Sequence, residues 1–143
     1  MSVVLKPVLY LRIYGPIWGN YPHWALVLRV DELTTYYLQI FGEPGTFKFS
    51  ETQGQDPVIA PHREDINIWE LAASDVPRVR KAAESTCIDN DTVMWNCQDW
   101  CLEVINELEE DYVVGAGEDE DEEDATAWKR LKASLVRKMG PEI

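Results

Sequence analysis

Between residues 97 and 110 the apolar positions fall at Cys97, Trp100, Cys101, Val104 and Leu108, the spacing of one buried helical face, with Gln98, Glu103, Asn106, Glu107 and Glu110 elsewhere. Asn96 is a good N-cap, and Asp99 three residues on completes a capping box, so the pattern predicts a helix opening at Cys97. Upstream the pattern is that of strands: Val3 to Val4, Val8 to Ile13, His23 to Val30, Thr34 to Phe41, Thr46 to Ser50 and Ile66 to Leu71. The His23 to Val30 run is almost continuously apolar, which predicts burial on both faces. If it pairs with Thr34 to Phe41 so that Leu28 faces Thr34, His23 lies opposite Gln39, and a slip of one residue would separate them. Gly15 to Pro22 and the polar stretch Glu51 to Arg63, which includes His62, read as loops. Ser74 or Asp75 caps a helix with Pro77 in its first turn, running through Val79, Ala82 and Ala83 to about Ser85. Tyr112 to Val114 reads as a last short strand.

Past Gly115 the pattern changes. Seven consecutive carboxylates, Glu118 to Asp124, repel one another and predict a flexible linker over 115–124. Beyond it Trp128, Leu131, Leu135 and Met139 form a narrow apolar stripe on a C-terminal amphipathic helix, 125–143, which docks on the domain or on a protein partner. Residues 1–114 form the domain proper, consistent with a single core in a chain of 143 residues.

The net charge of −13 argues against nucleic acid and anionic membrane surfaces as partners. No run of about 18 apolar residues is present to span a membrane. Three cysteines without a CxxC and only two histidines support neither a disulfide framework nor a metal site, so the reading is a reducing, cytoplasmic protein with no metal or cofactor.

Placing Cys97 at the first turn gives it chemical meaning. The unpaired N–H groups and dipole of a helix N-terminus favour a thiolate, lowering a cysteine from about 8.5 to roughly 3.5–7.5. Cys101, one turn further in, lacks that field and reads as a core residue. A cysteine nucleophile also needs a base, a group to orient the base, and donors for the oxyanion. His23, Gln39 and the N–H groups of the Cys97 helix supply these types, with Trp18, Tyr21 and Trp24 around His23 as candidate substrate-binding residues; Trp24 equally suits a core.

The order of a His-led strand His23-Trp24-Ala25-Leu26, a strand ending Gln39-Ile40-Phe41-Gly42 and a helix opening Asn96-Cys97-Gln98-Asp99-Trp100 resembles the circularly permuted NlpC-type papain-like proteins. That group includes the lecithin:retinol acyltransferase-like enzymes, and the pattern is closer still to that of small, mostly uncharacterised fungal proteins. The resemblance covers about residues 8–114. It implies an α+β fold with an antiparallel sheet packed against helices, a Cys97 nucleophile, a His23 base, Gln39 as the orienting third member, and acyl hydrolysis or transfer through a thioester on a small acyl, amide or ester substrate, with the fungal likeness pointing to specialised metabolism. The chain departs from the acyltransferase motif in having Gln39 rather than His and no His after Cys97. The alternatives are a non-covalent cyclase or isomerase, or a catalytically silent module that binds a small molecule or a protein on the same fold.

Overall fold

The structure, a computed structural model, describes residues 6–115 and 122–141, except for the side chains of Glu122 and Asp124. Five strands, β1 (Val8–Tyr14), β2 (His23–Arg29), β3 (Thr35–Phe41), β4 (Lys48–Gln53) and β5 (His62–Glu70), form one antiparallel sheet in the order β4-β3-β2-β1-β5. Three helices accompany it among the described residues: α1 (Val76–Ser85), entered through a short 3₁₀ turn, α2 (Cys97–Glu110) and α3 (Glu122–Lys138). The fold is α+β.

The middle strand β2 is buried along six of its seven residues, as its apolar run predicts. Alternation divides its side chains between two faces. Trp24, Leu26 and Leu28 join Leu9, Leu11 and Ile13 of β1 and Leu38 and Ile40 of β3 in a core completed by Val79 of α1 and by Trp100, Cys101, Val104 and Leu108 of α2. Each large aliphatic side chain fully buried there contributes about 1.5–3 kcal/mol of transfer free energy. The opposite face carries His23, Ala25 and Val27, flanked by Tyr14 and Arg12 on β1. It is covered by the connection from β4 to β5, which must travel from one edge of the sheet to the other. That connection is pinned by Asp56, which accepts hydrogen bonds from Tyr14 Oη at 2.7 Å and Arg12 Nη1 at 2.9 Å.

The C-terminal helix docks on this domain. Trp128 and Leu135 are buried, the Trp128 ring meets Trp69 edge-on at 5.6 Å, and Lys132 Nζ pairs with Glu109 Oε1 at 2.7 Å. The stripe that could have met a protein partner therefore faces its own sheet and α2. No helix among the described residues is long and apolar enough to cross a membrane.

Four features differ from the pattern-based reading. First, β2 and β3 pair with Leu28 opposite Tyr36, two residues from the expected register. A shift of two preserves the face, so His23 and Gln39 still share it. Second, Tyr112 to Val114 is not a strand: Tyr112 adopts a left-handed φ of 59°, and the Val113 N–H reaches back to the Leu108 carbonyl at 2.9 Å. The chain folds over the end of α2 and drops Val113 and Val114 into the core. Third, β4 and β5 extend into the polar stretch read as a loop, because the added edge positions Glu51 to Gln53 and His62 to Asp65 contain no apolar residue to alternate. Fourth, α3 begins at Glu122, inside the acidic run; most of the expected linker, like the strand at Val3 to Val4, lies outside the described residues.

If α3 is part of the one core, Leu135→Ala should cost about 2–5 kcal/mol, as for a fully buried leucine elsewhere. Urea unfolding followed by tryptophan fluorescence measures this, and a single cooperative transition displaced by less than about 0.5 kcal/mol would show that the helix is merely appended.

Candidate functional site

The start of α2 is fixed from both sides. Asn96 Oδ1 accepts from the Gln98 N–H at 2.9 Å, and Asp99 Oδ2 accepts from the Asn96 N–H at 2.9 Å, the capping box expected from the sequence. Cys97, the first helical residue, is only 1% exposed. Its Sγ accepts from the Trp24 N–H at 3.5 Å, and its thiol faces the Pro22 carbonyl at 4.0 Å. The sequence alone places this thiol low on the pKa scale; in the structure burial pushes it up to about 12. The N–H groups of Trp24, Cys97 and Gln98 oppose the shift without reversing it. Desolvation wins because the sulfur is under the sheet rather than at a solvent-facing helix end. Cys101 is pushed well above its ordinary value by complete burial, with the neighbouring Cys97 adding to it.

His23 opens β2 on the face away from α2. Its Nε2 lies 2.7 Å from Gln39 Oε1. An amide oxygen only accepts, so Nε2 carries the ring proton and Nδ1 is the nitrogen left with a lone pair. Phe41 stacks on the imidazole at 5.4 Å with planes 10° apart, and Tyr14 lies 5.7 Å away on the other strand. Burial lowers the His23 pKa, while the Gln39 bond and the Asp56 charge work against that. Gln39 Nε2 is buried without a partner, as are the indole N–H groups of Trp24 and Trp100.

The histidine and cysteine approach one another around the end of the sheet. They line one narrow cavity of about 10 Å³, enough for about one water, with Ile17, Trp18, Tyr21, Phe41, Gly42 and Phe47. Among the described residues no hydrogen bond joins His23 to Cys97. Trp18 and Tyr21 stand at the cavity, and burial with the nearby Cys97 pushes the Tyr21 phenol up to about 12. Trp24 does not: it is 1% exposed, on the core face of β2, and contributes its backbone N–H rather than its ring. Gly42 turns the chain past Phe41 at φ 130°, where a Cβ would sit 2.8 Å from the Thr46 carbonyl oxygen.

Two contributors escaped the sequence reading. Asp56, in a stretch with no periodicity, closes the network of Arg12 and Tyr14 behind His23. Gln98, grouped with the polar positions of the helix, is 1% exposed. His62 is indeed exposed, as the first residue of β5, with Nε2 2.9 Å from Asp65 Oδ1. Among the described residues no three His, Cys, Asp or Glu side chains cluster as metal ligands. Comparison of the chain with models of protein families, with curated proteins and with solved structures found no match.

An imidazole whose folded-state pKa lies below its ordinary value stabilises the fold while neutral. That contribution is complete above about pH 6.5 and is lost as pH falls from there through the folded value. Urea midpoints measured from about pH 7.5 down to about pH 5.5 should therefore fall, and His23→Gln should flatten the decline; parallel pH profiles for the two proteins would contradict the burial of a neutral His23.

Proposed function

We propose that this protein is a cysteine-dependent hydrolase or acyltransferase acting on a small acyl, amide or ester substrate, on a papain-like scaffold of the permuted NlpC type. The observation that carries this reading is the convergence of Cys97 Sγ and the Gln39-anchored His23 on one cavity at the N-terminus of α2.

Both partners rest uncharged, so activation occurs as the substrate is attacked rather than through a standing ion pair. His23 Nδ1 takes the thiol proton while Sγ adds to the acyl carbon, and the Gln39 oxygen, already on Nε2–H, steadies the imidazolium that results. The Cys97 N–H, at an unpaired position of the helix start, is a donor for the oxyanion. His23 then returns the proton to the leaving group, giving a thioester that water or an acceptor alcohol or amine cleaves by the same steps in reverse. Trp18 and Tyr21 form the wall against which an acyl group would rest.

The raised thiol favours one second reading, a non-covalent cyclase or isomerase in which His23 is the base and the protonated Cys97 the acid.

Intact-protein mass spectrometry during turnover of p-nitrophenyl esters from acetyl to octanoyl separates the two. The covalent reading expects an acyl adduct confined to Cys97, no adduct in Cys97→Ala, and a loss of about 10²–10⁴ in kcat/KM for His23→Ala. Undiminished turnover by Cys97→Ala would eliminate a thioester.

A further inference from the structure

Glutamine is seldom fully buried, yet Gln98 is 1% exposed and its amide is engaged at both ends. Nε2 donates to the Pro22 carbonyl at 3.1 Å and to the Gly140 carbonyl at 3.4 Å, while Oε1 accepts from the Gly140 N–H at 2.7 Å. Gly140 lies just beyond α3 and has a φ of 110°. A Cβ there would touch nothing within 4 Å, so what glycine supplies is the backbone conformation that turns both its N–H and its carbonyl toward Gln98.

The three segments that meet at this amide are the ones that set the site. Gln98 follows Cys97 directly. Pro22 precedes His23 directly, and its carbonyl oxygen is also the one 4.0 Å from Cys97 Sγ. The C-terminal turn approaches from the far side, with Met139 packed against the core. Because no hydrogen bond joins the thiol to the imidazole among the described residues, their separation depends on how the backbone at Pro22 sits against the first turn of α2. Gln98 is the side chain that bridges those two backbones.

We propose that Gln98 is a positioning residue for the Cys97 and His23 pair, and that the C-terminal turn at Gly140 belongs to the site through it. This inference rests on the cysteine chemistry proposed above. A displacement on the order of 1 Å at a reacting pair is enough to lose most of the benefit of alignment.

The test is a double-mutant cycle read at the thiol of the full chain. Second-order rates of iodoacetamide labelling at Cys97 are measured by mass spectrometry in the wild type, Gln98→Met, His23→Ala and the double variant, with buried Cys101 as the internal reference for opening of the fold. Gln98→Met keeps side-chain length and removes all three hydrogen bonds. It should slow Cys97 labelling about tenfold when His23 is present and less than about twofold when it is absent. Gln98→Glu keeps an acceptor for the Gly140 N–H but withdraws the donor from Pro22, and should show the same dependence on His23. If Gln98→Met opens the fold, seen as rapid labelling of Cys101, the cycle with Gln98→Glu decides. Equal slowing in both His23 backgrounds, or none, would overturn the positioning role and leave the proposed cysteine chemistry standing. Unchanged Cys97 labelling in His23→Ala would overturn that chemistry itself, and this inference with it.

Discussion

A strand with no solvent-facing side imposes the central constraint of this molecule. Both faces of β2 are covered, so a polar side chain on it must find its partners inside the protein. His23 meets that demand with Gln39 on the adjoining strand and an aromatic surround of Phe41 and Tyr14. The rest of the architecture follows from covering the two faces. On one side α1, α2 and α3 close over leucines and tryptophans, and on the other the β4 to β5 connection is drawn across the sheet and fastened to Arg12 and Tyr14 through Asp56.

The same burial decides the electrostatics at Cys97. Helix-terminal fields act strongly where the charged atom stays in or near water; moving the sulfur out of solvent penalises the thiolate by more than a few N–H groups restore. Cys97 and Cys101 thus end on the same side of neutrality despite their different places on α2, and what distinguishes them is access to the cavity and to His23 rather than resting charge. A protonated thiol beside a neutral imidazole avoids placing two opposite charges in a medium that would have to desolvate both.

Much of this was legible in the chain because the signals were periodic. The capping box of α2 and the doubly buried β2 follow from residue spacing alone, and the shared face of His23 and Gln39 survives a two-residue error in register because side chains alternate with a period of two. What escaped is aperiodic or depends on distant chain. Asp56 sits in a connection whose course is set by the sheet edges it links, and the importance of Gln98 lies in the carbonyl of Pro22 and the peptide of Gly140, over 40 positions away on its far side. The thiol's raised pKa likewise depends on how deep α2 starts, which helix spacing does not encode.

The polarity that hid the end of β4 and the start of β5 from a reading of hydrophobic alternation has its own physical role. An open five-stranded sheet ends in two rows of backbone donors and acceptors that could template a second chain. Here one rim carries Lys48 and Glu51, and the other begins His62, Arg63, Glu64 and Asp65, all six of them exposed and most of them charged. Docking a neighbouring strand on either rim would mean stripping water from those groups and matching their signs residue by residue. The edges thus disfavour the addition of a further strand, through the same residues that hid the full length of β4 and β5.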